Sequence, residues 1–285
     1  MGALFSTEKT KQWRRPRTYV ALGLTVAIPL IILIALKANP PSPPNNFGDA
    51  GDAFFYASTR TGLFLPVAAL RVMSRFLLVI VLALFAGDAI ASEASWGNLR
   101  AMLTRPVGRS RLLAAKAESA TLLALVVTGV TVVAALVAGG IAFGWGGLNV
   151  GGTLGRLAAN AGFAGTHMSA SRIIGNLAIA TGYVFWGLAA VGALAFMVST
   201  MTDSPAAAVF AGFGLYAISQ ILDAITSLGS IRYGFPTHYY DAWTNLFTGP
   251  GPTGDMLRGT LLQIPYVLVF GGIGWWYFRR KDVLS

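Results

Sequence analysis

Residues 119–143 read SATLLALVVTGVTVVAALVAGGIAF and contain no charged side chain. A helix of about 20 mostly apolar residues can cross the hydrocarbon core of a bilayer, so we interpret 119–143 as a membrane-spanning helix. The whole chain has the same character: 55% of its 285 residues are hydrophobic and only 11% are charged. An ordinary soluble domain has about 25% charged residues. This composition excludes a soluble enzyme, a disordered chain and a coiled coil, and predicts an all-α, polytopic membrane protein.

Five further apolar runs predict five more spanning helices, so that one transmembrane domain of six helices occupies residues 1–285. Their approximate ranges are 19–36, 63–91, 173–198, 205–227 and 259–278. As one helix, 63–91 would be about 43 Å long, more than a hydrocarbon core, so we predict a long or broken helix whose outer end, up to about Arg75, lies at the interface. We interpret 37–62 and 228–258 as loops. Ser204 is predicted to cap the fifth helix, with Pro205 as its first residue.

The basic residues are distributed unevenly between the two sides of this topology. The N-terminal segment, the 92–118 connection and the C-terminal tail carry thirteen of the 21 Lys and Arg residues, and the opposite connections carry six. Because cytoplasmic loops are enriched in Lys and Arg, both termini and residues 92–118 are predicted to be cytoplasmic. This asymmetry accounts for the net charge of +10 without a nucleic-acid partner. The chain has no cysteine, which excludes disulfides and thiolate metal sites.

The 92–118 connection predicts a short amphipathic cytoplasmic helix between the second and third spans. Its apolar residues recur at helical spacing: Trp96, Leu99, Met102 and Leu103. Pro106 should end this helix, and Ser110 can cap the next one. Three arginines cluster around the turn that follows: Arg105, Arg109 and Arg111. The pattern fits two alternatives equally well, a surface that binds a cytoplasmic partner or a helix that lies flat on anionic lipid.

Four charged residues lie within or close to the spans: Arg71, Arg75, Asp88 and Asp223. Charges inside a bilayer are costly and often functional, so these residues either line a polar cavity or reach an interface by snorkelling. His167 and His238 lack enough neighbouring ligands for a metal site. None of the five lysines follows a glycine, as a phosphate-binding loop would require. We therefore expect no catalytic residue, metal or cofactor in this chain.

The motifs around the 92–118 connection follow a recognisable order. They are GDAIASE (87–93), GNLR (97–100), LTRPVGR (103–109) and RLLAAK (111–116). In sequence and order they resemble the membrane subunits of type-2 ATP-binding cassette (ABC) exporters, with Asn98 where that family usually has Thr. Residues 198–208 are similar to the family's turn between helices four and five, and FPTHY (235–239) and FRRKDV (278–283) are similar to its last loop and tail.

The resemblance implies a multi-pass permease of a bacterial plasma membrane, which pairs with a second copy or a homologue to form an export pathway. Two cytoplasmic ATPase subunits would bind ATP and Mg, so the permease itself would not be an enzyme. Residues 93–109 would form a coupling helix that docks in a groove of the ATPase. The implied coupling residues are Glu93, Trp96, Gly97, Leu99, Met102, Leu103, Arg105, Pro106, Arg109 and Lys116.

A second class of transporter stays open at this stage, a secondary transporter driven by an ion gradient. Such a protein needs an acidic relay near the membrane midplane and is often built from internal repeats. Asp88 and Asp223 are instead predicted near helix ends, and residues 1–143 and 144–285 show no repeat. The sequence favours the ABC permease and does not predict the transported substrate.

Overall fold

The computed structural model describes residues 2–41, 50–97, 108–149, 167–248 and 254–281. In these ranges the chain is α-helical, apart from three 3₁₀ segments (Gly62–Phe64, Thr226–Gly234 and Tyr240–Thr244) and one short antiparallel pairing of β1 (Leu148–Asn149) with β2 (His167–Met168). The helices are α1 (Gly2–Trp13), α2 (Pro16–Ala38), α3 (Ala50–Arg60), α4 (Leu65–Ser74), α5 (Leu77–Ser95), α6 (Arg109–Phe143), α7 (Ala170–Gly187), α8 (Ala189–Met201), α9 (Pro205–Ala224), α10 (Asn245–Thr248) and α11 (Gly254–Arg280).

Six segments are long and apolar enough to cross a membrane, as the hydropathy pattern predicts. They are Pro16–Ala38, Leu77–Ser95, Arg109–Phe143, Ala170–Met201, Pro205–Ala224 and Gly254–Arg280. The fourth consists of α7 and α8, which are separated at Leu188. The structure is therefore that of an all-α, multi-pass membrane protein.

The second predicted span is broken, one of the two forms that its length allows. α4 ends at Ser74 and α5 begins at Leu77, with Phe76 between them in a non-helical conformation (φ −141°, ψ −68°). α5 packs against α6, α8 and α9 and is buried over most of its length, whereas α2, α9 and α11 are largely exposed. The centre of the bundle is therefore α5, the segment that leads into the predicted coupling region.

The segment formed by α4 and α5 runs antiparallel to α6. At one end, the backbone N–H of Gly62 donates to the carbonyl oxygen of Gly144, and at the other Glu93 pairs with Lys116. Gly62 and Gly139 also approach so closely that a Cβ on either would overlap the backbone of the other. Lys116 and Gly139 are separated by about 34 Å of helix, close to the thickness of a hydrocarbon core.

Several predicted boundaries are wrong. The third span begins at Arg109 instead of about 119, because Gly108, and not Ser110, is its N-cap residue. The predicted 37–62 loop contains α3, and the predicted 228–258 loop contains 3₁₀ turns, α10 and the start of α11. By contrast, the Ser204 hydroxyl accepts from the Ala207 N–H with Pro205 at the first helical position, which confirms the predicted cap.

Candidate functional site

An ion-pair cluster joins the N-terminal helix to both helices that flank residues 98–107. Glu93 near the end of α5 pairs with Lys116 of α6 (Oε2–Nζ 2.5 Å) and with Lys11 of α1 (Oε1–Nζ 2.5 Å). Lys116 also donates to Glu8 of α1 at 3.2 Å. We call these four residues the Glu93 cluster. The Glu93 and Lys116 side chains are each only 1% exposed, and buried charges of this kind are tolerated only when they are paired.

Asp88 forms a second ionic site one helical turn and a half before Glu93. The Arg15 guanidinium donates to its carboxylate at 2.5 Å and to the Ser92 hydroxyl at 3.2 Å, and Arg17 pairs with the same carboxylate. The Asp88 side chain is 8% exposed. The linker between α1 and α2 is thereby fixed to α5, so Asp88 acts as an anchor for the N-terminal segment rather than as an unpartnered acid.

The predicted coupling residues divide into three groups. Leu99, Met102, Leu103, Arg105 and Pro106 lie outside the described residues. Glu93 and Lys116 are buried, and their charges face each other and α1.

The third group, Trp96, Gly97 and Arg109, lies where α5 ends and α6 begins. Trp96 is 63% exposed, directly after α5, with the Arg15 guanidinium 5.3 Å from its ring centroid. Gly97 has φ +69°, a conformation in which glycine commonly terminates a helix. α5 therefore ends at Ser95: Glu93 lies in its last turn, and Trp96 is its C-cap residue. The rest of the predicted amphipathic helix lies outside the described residues.

Arg109 begins α6 and holds the C-terminal end of α11. Its guanidinium donates to the carbonyl oxygens of Arg279 (3.0 Å) and Lys281 (2.9 Å). The Lys281 ammonium in turn donates to Asp203 at 3.1 Å, in the turn before α9. The start of α6, the end of α11 and this turn are thus connected at the same end of the molecule as the Glu93 cluster.

Arg71 and Arg75, predicted to share a helix face, share one carboxylate. Arg71 Nη1 lies 2.6 Å from Asp241 Oδ1, and Arg75 Nη2 lies 2.7 Å from Asp241 Oδ2. Beside them the Tyr240 hydroxyl donates to the Ser74 carbonyl oxygen at 3.0 Å. Burial raises the pKa of Tyr240 well above its usual value, so the hydroxyl remains a donor. These contacts fix the segment 240–244 across the break between α4 and α5.

Asp223, the last of the predicted intramembrane charges, lies at the end of α9 and pairs with a histidine. His238 Nδ1 is 2.5 Å from Asp223 Oδ1, and Arg232 Nε is 3.5 Å from the same oxygen. Within the described residues, no group of three or more histidine, aspartate and glutamate side chains could hold a metal ion. The structure therefore separates Asp88 and Asp223 into two independent ionic sites.

Sequence reasoning missed the docked α1 helix. A usable signal was present, since Glu8, Lys11, Gln12 and Arg15 recur at helical spacing and place their polar groups on one face. The partners of Glu8, Lys11 and Arg15 are 73 to 108 residues away in the sequence, which is why the pattern could not identify them. Chemically, the Glu93 cluster can hold three helices together, since its ion pairs join groups on α1, α5 and α6.

Comparison with known proteins assigns the chain to a family. A family model described as "Protein of unknown function (DUF2705)" matches residues 56–284, so the chain belongs to this family. The comparison with curated proteins finds no match.

Proposed function

We propose that this DUF2705 chain is the permease subunit of a type-2 ABC exporter in a bacterial plasma membrane. It would form the translocation pathway with a second permease, and two copies of a separate cytoplasmic ATPase would hydrolyse ATP. The proposal rests on the motif order in 87–116 and on one structural observation: the helices on both sides of residues 98–107 converge on the Glu93 cluster.

This convergence suits a segment that receives force from a partner. A push on residues 98–107 would reach the end of α5 and the start of α6 together, because the Glu93–Lys116 pair joins them. α5 is the central helix and packs on α8 and α9, so its displacement would be felt through much of the bundle. Lys11 and Glu8 extend the same connection to α1. A flexible connector would need no such joint.

The charge distribution supports a cytoplasmic position for this end of the molecule. The thirteen basic residues assigned to the cytoplasm include Lys11, Arg109 and Lys281. Lys11 pairs with Glu93, Lys281 pairs with Asp203, and Arg109 donates to backbone carbonyls at the end of α11. Placing this end inside satisfies the positive-inside tendency.

An ion-driven secondary transporter gains less support from the same structure. A proton or sodium relay needs a carboxylate that can lose and regain its cation during transport. Asp88 is held by two arginines, and Asp223 is held by His238 and Arg232 at the far end of a different helix. Their separation and prior pairing favour structural roles.

The decisive experiment is co-purification of an ATPase with the tagged chain in detergent. The wild-type protein should retain a subunit with ATP-hydrolysing activity, which mass spectrometry would identify by its nucleotide-binding motifs. Leu99→Asp combined with Leu103→Asp should lose that subunit, since apolar interface anchors commonly cost about 2 kcal/mol or more when removed. The control is Ile225→Asp with Ile231→Asp, which should retain the ATPase subunit. Both isoleucines are exposed, Ile225 just before the 226–234 turn and Ile231 within it.

Detergent removes the bilayer and so separates coupling from simple lipid binding. If the Leu99/Leu103 variant keeps an active ATPase, residues 98–107 are not a coupling surface. If the wild-type chain retains no ATPase and transport follows an imposed ion gradient, the secondary-transporter alternative replaces the proposal.

A further inference from the structure

A half-open apolar cleft of about 460 Å³ lies between α6 and the pair α8–α11, with Leu82 and Ala86 of α5 as its floor. It arises because α11 packs mainly on α8 and has far fewer contacts with α6. Small side chains line its walls, such as Ala117 and Ala193, which leaves room for a ligand. The volume is within the range of about 300–1,000 Å³ that is typical of small-molecule sites.

The cleft extends along the helices that line it. Its lining on α6 runs from Ser110 to Ala124, which is about 21 Å of helix. One leaflet of a hydrocarbon core is about 15 Å thick, so the cleft would extend from one interface to about the midplane. Its polar lining is small, and the Ser110 hydroxyl already accepts from Trp275 Nε1 at 3.2 Å. A long apolar chain fits this lining better than a polar solute.

A basic pocket adjoins the Ser110 end of the cleft. Trp275 lines both spaces, and Trp276, Arg279 and Arg280 complete the second one, which has a volume of about 220 Å³. The Arg279 guanidinium lies 4.7 Å from the Trp275 ring centroid, and that of Arg280 lies 4.4 Å from the Trp276 ring centroid. Tryptophan rings are typical of membrane interfaces, and basic pockets beside spanning helices bind anionic lipid headgroups.

We propose that the cleft and the basic pocket together form a binding site for one anionic phospholipid. An acyl chain would occupy the cleft, and the phosphate would contact Arg279 and Arg280 between the two indole rings. This assignment does not depend on the proposed function, because it uses only the shape and charge of this face.

A second copy of the chain is a poorer occupant of the same face. In a twofold-symmetric contact the same patch meets itself, so Arg279 and Arg280 of both copies would lie opposite each other and repel. A phospholipid instead brings a negative charge to the arginines and an apolar chain to the cleft. The charge at the mouth therefore favours lipid.

The test measures binding of phosphatidylglycerol and of phosphatidylcholine with identical acyl chains to the purified full-length protein, by native mass spectrometry from detergent. Phosphatidylglycerol should bind roughly thirtyfold more tightly, since each of the two arginines should contribute a factor of about five to the binding of an anionic lipid. Arg279→Gln with Arg280→Gln should abolish this preference. Arg258→Gln is the matched control, because Arg258 is an exposed arginine on the opposite end of α11.

The apolar half of the site has its own matched pair on α11. A Cβ at Gly271 or at Gly272 would meet nothing within 4 Å, but only Gly271 lines the cleft. Gly271→Leu should weaken both lipids at least tenfold, whereas Gly272→Leu should leave them unchanged. Glycerol 3-phosphate, which has a phosphate but no acyl chain, should fail to compete at millimolar concentration.

Three outcomes would overturn the proposal. Equal affinity of the wild type for both lipids would show that Arg279 and Arg280 do not bind an anionic headgroup. If Gly271→Leu, with its fold verified by circular dichroism, bound both lipids as tightly as the wild type, the cleft would not be the acyl-chain site. A shift of Gly271→Leu from dimer to monomer, with lipid affinity unchanged, would show that a second copy covers the cleft instead.

Discussion

The two ends of α6 are joined to the rest of the chain by opposite kinds of interaction. At Lys116 the contacts are ionic, and the two most buried charges have two partners each: Lys116 faces Glu8 and Glu93, and Glu93 faces Lys11 and Lys116. At Gly139 α6 packs closely on Gly62, in the 3₁₀ segment that also contains Phe64. Phe64 belongs to a buried aromatic cluster: its ring lies 6.5 Å from that of Phe54, which is stacked on Trp243 at 6.4 Å and edge-on to Phe247 at 6.1 Å.

This difference indicates which end can rearrange. Ion pairs with alternative partners can exchange them without exposing an uncompensated charge, whereas a buried aromatic cluster gains its stability from close packing and loses it on any displacement. We therefore interpret the ionic end as the movable joint and the aromatic end as the fixed anchor. The predictions below test this comparison.

The largest expected effect is an all-or-none difference in cysteine labelling between the two sides of the membrane. The chain has no native cysteine, so single cysteines report cleanly. In intact cells an impermeant thiol reagent should label Ser230→Cys, an exposed site in the 226–234 turn, and should not label Ser285→Cys until the membrane is permeabilised. Labelling of the tail alone in intact cells would reverse the orientation and place the ionic end outside.

The next largest effect is expected from neutralising Glu93. Glu93→Gln leaves the buried Lys116 ammonium with Glu8 alone, and breaking a buried ion pair from one side commonly costs about 3–5 kcal/mol. Thermal unfolding in detergent should show this loss. Glu118→Gln is the control, because Glu118 is exposed on the same helix and its replacement should change the free energy of unfolding by no more than about 0.5 kcal/mol.

A second variant shows whether the pair acts as a unit. Glu93→Met with Lys116→Met removes both buried charges and leaves Glu8 and Lys11 to pair on α1, so its loss should be smaller than that of Glu93→Gln alone. If the double variant lost as much unfolding free energy as the two single variants together, the two charges would be independent. The Glu93–Lys116 pair would then not join α5 to α6.

The sequence predicts the six spans well because each is a local property of about 20 residues, and it predicts the Ser204 cap because that motif spans four residues. It misses α1 and α3, which have 12 and 11 residues and are therefore too short to give a spanning signal. Charges were located but not paired: the Asp88 partners precede it by 73 and 71 positions, and Asp241 follows Arg71 by 170. Such pairings are properties of tertiary packing.

At the aromatic end, a single methyl group should have a moderate effect. A Cβ at Gly139 would overlap the Gly62 carbonyl oxygen and lie 2.8 Å from the Leu65 Cβ, so Gly139→Ala forces α6 away from the start of α4. Overpacking of this kind typically costs about 1–3 kcal/mol. Gly129→Ala, on the same helix with nothing within 4 Å of its Cβ, should instead stabilise by about 0.5–1 kcal/mol. Equal thermal shifts for the two variants would mean that this end is not closely packed.

The smallest effect is expected from Tyr240→Phe, which removes one hydrogen bond next to the aromatic cluster. The Tyr240 hydroxyl is buried and donates to the Ser74 carbonyl oxygen at 3.0 Å. Its loss leaves that carbonyl without this donor and should cost about 1 kcal/mol at neutral pH, measured as the difference in unfolding free energy between wild type and variant.

The pH dependence of that difference is the sharper test. Burial raises the pKa of Tyr240 above the value of about 10 that it has in the unfolded chain. Below about pH 10 both states are protonated, and the stabilising contribution of the hydroxyl is fully present. Above it the unfolded state loses its proton first, which favours unfolding of the wild type but not of Tyr240→Phe. The wild-type advantage should therefore be constant up to about pH 10 and shrink above it. An advantage that persists at higher pH would show that the hydroxyl is accessible to solvent, and the aromatic end would then be less dry, and less fixed, than its packing indicates.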